Sequence, residues 1–188
     1  MMNKHGSVLK MMLSTYWRRN NMNNIFLIGF MGCGKSIVAS YIAKTYDMEI
    51  IEMDDEIVNS EGISISEIFK QKGEVYFRDV ESKLLQKIAN QENKIVSCGG
   101  GLVLREQNVE MMKQSGHIVL LTAEPKTIFE RLRNDNSRPL LEGNMNEAFI
   151  QELLNKRLPL YEKAADYVIK TDDKEIKEIC KEILEYRR

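Results

Sequence analysis

Gly29-Phe30-Met31-Gly32-Cys33-Gly34-Lys35-Ser36 follows the apolar run Ile25 to Ile28 and precedes an amphipathic stretch carrying Ile37, Val38, Tyr41 and Ile42. The octapeptide fits G-x-x-x-x-G-K-[ST], and a predicted strand before it with a predicted helix after it is the context the pattern requires. Its glycines let backbone N–H groups turn inward around phosphate oxygens, and the helix N-terminus adds partial positive charge. Lys35 can then reach β and γ phosphates, and the Ser36 hydroxyl can ligate Mg²⁺. A glycine-rich turn that merely happens to hold a lysine would not need those flanks.

Outward from this loop the chain alternates short β-rich runs with longer amphipathic stretches. The predicted strands are Ile25 to Ile28, Glu49 to Met53, Ile95 to Cys98, Ile118 to Leu121 and Tyr167 to Ile169, each about the length of a buried parallel strand. Tyr76, Val80, Leu84 and Ile88 repeat at i, i+4, and Ile176, Ile179, Cys180 and Ile183 make a last helical stripe. Ser64-Ile65-Ser66-Glu67 has the form of a capping box and predicts a short helix carrying Ile68 and Phe69. This alternation implies an α/β fold, a mainly parallel sheet with helices on both faces.

The chain has 188 residues, 43% of them apolar and 29% charged, and a net charge of −1. These values fit one ordinary α/β domain. No apolar run approaches the roughly 20 residues of a membrane span, and a near-zero charge argues against nucleic acid as a bulk electrostatic partner. The average hides an asymmetry. Residues 1–24 carry Lys4, Lys10, Arg18 and Arg19 and no acid, which leaves 23 basic against 28 acidic residues in the rest, a net of −5. Residues 1–23 are expected to be a poorly ordered basic extension, translated from a start upstream of Met22, with Asn20 to Asn24 a plain linker; 24–188 is expected to be the folded P-loop domain. Three scattered cysteines, Cys33, Cys98 and Cys180, lack metal-ligand spacing. They read as free thiols packed in a reducing cytoplasm.

In such sheets ligands bind where the strands end. After the second predicted strand, Glu52-Met53-Asp54-Asp55 brings carboxylates toward the phosphate site, and strand alternation would point Glu52 and Asp54 to one face. One acid could hold a metal-bound water and the other accept a hydrogen bond or proton from a substrate hydroxyl; a solvated strand end capping the next helix is the alternative. After the third strand, Gly99-Gly100-Gly101 requires positive φ or close approach by a ligand, unless it is only a flexible turn. Arg78, Arg138 and Arg157 each lie beside aromatic residues or proline, and planar guanidinium forks suit carboxylate and phosphate.

From about Asn24 to the C-terminus these motifs, in their order, resemble the shikimate kinase family of nucleoside-monophosphate-kinase-like P-loop proteins. They are Gly29 to Ser36, Met53-Asp54, Gly62 to Phe69, Gly73-Glu74 with Phe77-Arg78 and Glu81, Gly99 to Gly101, Arg138-Pro139-Leu140-Leu141, and Arg157 to Tyr161. The resemblance implies a three-layer fold with five parallel strands in the order 2-3-1-4-5, a substrate-binding region at about 54–90 and a mobile lid at about 134–146. It implies phosphoryl transfer from MgATP to the 3-hydroxyl of shikimate, on the route to chorismate and the aromatic amino acids.

Carried over by position, Lys35, Asp54 and Arg138 are the catalytic residues, and Gly32, Cys33, Gly34, Lys35, Ser36, Ile37, Arg131 and Arg138 bind ATP, with Arg131 a partner for adenine. Asp54, Arg78, Arg157 and Gly99 to Gly101 bind shikimate; Phe69, Phe77, Pro139 and Leu140 wall its pocket, and Glu81 holds Arg78. Ser36, with Glu52 acting through a water, holds Mg²⁺. The chain departs from the family at Glu52, where many members have Asp. No nucleic-acid or membrane partner is expected, and the protein is expected to be a monomer in the cytoplasm. The rivals are another small-metabolite kinase of the same fold, such as a gluconate kinase, and a non-catalytic nucleotide-binding module. A chain beginning at Met22 is expected to match the full-length turnover number in a steady-state assay; a several-fold loss would give the basic extension a role.

Overall fold

In the computed structural model, which describes residues 24–133 and 146–185, the apolar run before the glycine-rich loop forms β1 (Asn24–Ile28), and all five residues are buried. A strand with both faces covered needs parallel neighbours and helices above and below. The chain provides them in α1 (Lys35–Tyr46), β2 (Glu49–Glu52), α2 (Met53–Glu61), α3 (Ile65–Ala89), β3 (Lys94–Ser97), a 3-10 turn (Leu102–Leu104), α4 (Glu106–Ser115), β4 (Gly116–Thr122), α5 (Pro125–Leu132), α6 (Glu147–Ala164), β5 (Tyr167–Lys170) and α7 (Ile176–Glu185). All strand pairs are parallel, in the expected order β2-β3-β1-β4-β5.

The main core lies between this sheet and its helices. Phe26 and Leu27 of β1 and Val119 to Leu121 of β4 meet Val38, Ala39 and Ile42 of α1, Ile128 of α5, Ile150 of α6 and Ile179 and Ile183 of α7. All three cysteines are buried free thiols, and burial pushes that of Cys180 up to about 12. A second, smaller cluster, Ile57, Ile68 and Phe77, joins α2 to α3. This region therefore has its own small core beside the sheet.

Several boundaries differ from the sequence expectation. β2 stops at Glu52, because Met53 already starts α2, where three acidic residues in the first turn favour the positive end of the helix dipole. The capping box forms: the Ser64 hydroxyl accepts from the Glu67 N–H at 3.2 Å, and Glu67 Oε2 accepts from the Ser64 N–H at 3.0 Å. The helix it opens is joined to the following stripe as α3, with a break at Gly73, whose φ of 82° and ψ of 168° suit glycine almost alone. The apolar stripes overreach at three positions. Ile37 is 59% exposed in the first turn of α1, Ile176 is exposed at the start of α7, and exposed Tyr76 donates its hydroxyl to Glu61 Oε2 at 3.0 Å.

Asn24, read from sequence as the end of a linker, is instead a fully buried β1 residue. Its amide donates to the Gln91 carbonyl at 2.9 Å and accepts from the Lys94 N–H at 3.0 Å, fastening β1 to the turn between α3 and β3. Residues 1–23, and the expected lid apart from Asn146, lie outside the described residues. Asn24→Ala leaves the buried partners unsatisfied, at about 1–3 kcal/mol. Its melting midpoint should fall by about 2–12 °C, on about 2–4 °C per kcal/mol for a chain of this size; an unchanged midpoint in a thermal melt would contradict the assigned role.

Candidate active site

Parallel strands end on one side, so the loops after β1, β2 and β3 meet there. They border a cleft of about 1250 Å³ that receives Gly32 to Ile37, Glu52, Asp54, Phe69, Phe77, Arg78, Glu81, Gly99 to Gly101, Arg131 and Arg157. Sequence-predicted residues from distant segments are thus brought to one place. Arg138, Pro139 and Leu140 lie outside the described residues.

At the phosphate-loop end, Lys35 Nζ donates to the carbonyls of Gly29 and Phe30 at 3.0 and 3.1 Å, so the ammonium lies folded over its own loop. The Cys33 side chain is buried and its thiol pKa is raised by burial, which leaves the backbone of Cys33 for ligand contact. Arg131 ties the loop to the segment after β5: its guanidinium donates to the Gly32 carbonyl at 3.0 Å and to the Thr171 hydroxyl and carbonyl at 3.2 and 3.3 Å. The Ser36 hydroxyl donates to Glu52 Oε2 at 3.0 Å and lies 3.4 Å from the Ser97 hydroxyl. Partial burial pushes the Glu52 carboxyl above the usual range, against the pull of the Ser97 and Ser36 hydroxyls. These hard oxygen donors suit Mg²⁺. The described residues contain no group of three His, Cys, Asp or Glu side chains able to cage a metal. Mg²⁺ usually takes only one or two protein ligands beside substrate phosphates, so the residues present fit it.

At the other end, the Arg78 guanidinium is held from two sides. It donates from Nη1 to Glu81 Oε2 at 2.5 Å, and from Nε and Nη2 to Glu74 Oε1 at 3.2 and 2.9 Å. The Phe77 and Phe69 ring centroids lie 5.2 and 5.9 Å from its central carbon. Burial pushes the Glu81 carboxyl upward and Arg78 pulls it down. Glu81 Oε1 is buried without a hydrogen-bond partner. Arg157 sits 6.0 Å from the Phe30 ring centroid and faces Tyr161, whose hydroxyl donates to the Gly100 carbonyl at 2.5 Å. Burial pushes the Tyr161 hydroxyl up to about 12, so it stays protonated as a donor.

Two sequence expectations need correction. Glu52 and Asp54 do not share a strand face; Asp54 reaches the cleft from the first turn of α2, because helix replaces strand at Met53. None of Gly99, Gly100 and Gly101 has positive φ. Gly99 and Gly101 satisfy close approach instead, by the protein's own side chains, whereas a Cβ at Gly100 would make only ordinary contacts. A Cβ at Gly99 would lie 2.5 Å from Glu81 Oε1 and 3.0 Å from Asp54 Oδ1, and one at Gly101 would collide with the Arg78 guanidinium. Sequence reasoning missed Ser97, Glu74 and Tyr161 as site residues. The β2–β3 register places Ser97 beside Glu52, a pairing that no local pattern reveals, whereas the i, i+4 spacing of Glu74 and Arg78 was readable.

The shikimate kinase family model matches residues 31–187. A shikimate kinase of Thermodesulfovibrio yellowstonii is 42% identical over 168 residues, 89% of this chain and 96% of that protein. The solved structure of shikimate kinase from Acinetobacter baumannii in complex with shikimate superposes with a TM-score of 0.86 at 32% identity, covering 93% of this chain and 96% of the other. A gluconokinase from Sinorhizobium meliloti reaches a TM-score of 0.52 at 19% identity, over 87% of this chain and 90% of the other, a likeness of fold alone. With the sheet order, the phosphate loop and the paired cationic and acidic groups in one cleft, the matches over nearly the whole chain place this protein in the shikimate kinase family.

Proposed function

We infer that this chain transfers the γ-phosphoryl group of ATP to the 3-hydroxyl of shikimate, giving 3-phosphoshikimate and ADP, a step of chorismate and aromatic amino acid biosynthesis. One observation carries the reading. A single cleft joins the phosphate loop to a fixed guanidinium, Arg78, with Arg157 and the Asp54 carboxylate bordering the same space. A small polyhydroxy carboxylate needs a cationic clamp for its acid and an acceptor for its reactive hydroxyl.

In this reading Lys35 leaves the loop carbonyls for the β and γ phosphates, and the backbone of Gly32 to Ser36 cradles them. Ser36, with Glu52 hydrogen-bonded beside it, would hold Mg²⁺, which would supply neutralising positive charge to the phosphates. Asp54 accepts the hydrogen bond, or the proton, of the 3-hydroxyl. Arg78 and Arg157 clamp the carboxylate, and Glu81 with Glu74 fixes the Arg78 plane. Gly99 and Gly101 leave the space those groups occupy, Gly100 borders the same pocket, Phe69 and Phe77 give the apolar wall, and Arg131 and Ile37 border the adenine end. The family pattern assigns Arg138 to the transferring phosphoryl and Pro139 and Leu140 to the pocket wall, within a lid that excludes water. Water would otherwise compete as acceptor. The reading includes a cytoplasmic monomer without nucleic-acid or membrane partner. Three free thiols support the reducing compartment and a net charge of −1 the lack of a nucleic-acid partner, and no helix among the described residues is long and apolar enough to cross a membrane.

ADP release from MgATP should require shikimate and stay at background with gluconate, quinate or AMP; gluconate-dependent release would sink the assignment in favour of the rival kinase. Arg78→Leu removes a charge-assisted contact worth about 1.5–3 kcal/mol, so KM for shikimate should rise about 10- to 100-fold while KM for ATP changes little. A uniform loss would point to misfolding instead. Gly99→Ala displaces the Glu81 and Asp54 carboxylates and should lower kcat/KM for shikimate at least tenfold without abolishing nucleotide binding in a calorimetric titration. Burial raises the carboxyl pKa of Glu52 and Glu81, and both act as anions. Activity should therefore be full above the raised values and fall as pH drops through them, on an acid limb above the ordinary Glu value of about 4.3. A kcat/KM profile flat down to that value would refute this.

A further inference from the structure

Tyr161 touches two parts of the cleft at once. It is 1% exposed and among the largest fully buried side chains, and it stands four positions after Arg157 on α6, so the two side chains share a helix face. A buried tyrosine hydroxyl usually finds a partner. This one donates to the Gly100 carbonyl at 2.5 Å, and the Arg157 guanidinium lies beside it. A Cβ at Gly100 would stand 3.6 Å from Tyr161 Oη and 3.8 Å from Arg157 Nη1, so hydroxyl, guanidinium and glycine loop meet at one point of the cleft wall.

The hydroxyl therefore serves an acceptor, the Gly100 carbonyl, that has a cation for a neighbour. Without the hydroxyl, that partly buried carbonyl needs another donor, and Arg157 is the neighbour able to supply one. Gly100 has no side chain to resist the small backbone turn this requires. A guanidinium bonded to a carbonyl of its own protein offers fewer N–H groups to a carboxylate, and its planar fork no longer faces the anion.

We propose that Tyr161 is a positioning residue for recognition of the substrate's carboxylate: its hydroxyl occupies the Gly100 carbonyl and so keeps the Arg157 fork open for the anion. This rests on the proposed function and deepens it, since it names the group that keeps one arm of the carboxylate clamp available. Tyr161 acts through Arg157 and Gly100 and touches no reacting atom. Its contribution falls on the choice of an anionic over a neutral substrate, and leaves nucleotide binding and the transfer step nearly untouched.

The test uses the full chain with two substrates, shikimate and its neutral carboxamide. Tyr161→Phe keeps the ring and removes only the hydroxyl. Its KM for shikimate should rise about 10-fold, the scale of one hydrogen bond, while kcat and KM for ATP change by less than about twofold. The preference for shikimate over the carboxamide, read as the ratio of the two kcat/KM values, should fall by about the same 10-fold. A merely structural role would lower both substrates alike, and an unchanged ratio overturns the inference. Replacing Tyr161 by 4-aminophenylalanine, which retains a donor, should restore most of the preference. Where removal of the hydroxyl prevents folding, 3-fluorotyrosine at the same position leaves it in place: its ¹⁹F resonance should move with shikimate and not with the carboxamide, and an equal response to both, or none, overturns the inference. If the native chain releases no ADP with shikimate, the functional reading fails along with the inference; shikimate-dependent turnover with an unchanged preference in the variant removes the inference alone.

Discussion

The parallel pairing of β1 with both β3 and β4 is the constraint on which the rest of the structure depends. Because β1 is buried from Asn24 to Ile28, its backbone groups have no water to turn to and must be satisfied by neighbouring strands. Parallel pairing satisfies them and sends the carboxyl ends of β1, β2 and β3 to the same edge. The phosphate loop, Glu52 and the triple glycine then emerge side by side although nearly seventy positions separate the first from the last. Asn24 secures the opposite end by binding the turn between α3 and β3. The site is thus assembled by the sheet and only furnished by the loops.

Around Arg78 the chain accepts an arrangement that stability alone would not favour. Arg78 and Glu81 are both buried, and desolvating two charges can offset the attraction between them. One Glu81 oxygen is left without a hydrogen bond, which adds to that penalty. In return, the guanidinium is held from two sides before any ligand arrives, so little rotamer entropy remains to be lost on binding. Gly99 and Gly101 are part of the same arrangement, since any side chain there would displace the Glu81, Asp54 or Arg78 groups. The break at Gly73 lets α3 change direction before Glu74 and Arg78.

Most of the fold was legible in the sequence because its signals are local. Strand runs, helical stripes, the capping box and the phosphate loop each depend on residues within one or two turns of one another, and they appear where expected. The errors are also instructive. Glu49 to Met53 read as one strand, but a helix N-terminus rich in acids took over at Met53, and periodicity does not mark such a handover. Ile37 and Ile176 read as core, yet they border the cleft where none of the described elements covers them. Asn24 read as linker because an isolated asparagine looks like a turn former; its burial depends on partners 64 and more positions away.

By itself, then, the sequence determined the α/β class, the phosphate loop, the ordered motifs of the family and the identity of most groups in the cleft, because each is written in residue type and short spacing. Tertiary structure alone decided that Ser97 stands beside Glu52, that Tyr161 holds the Gly100 carbonyl, and that Gly99 and Gly101 make room for the Glu81, Asp54 and Arg78 side chains. It also set the 3.0 Å between Ser36 and Glu52. Those are distances between strands, helices and loops remote in sequence, fixed by sheet register and packing, and a one-dimensional pattern contains no measure of them.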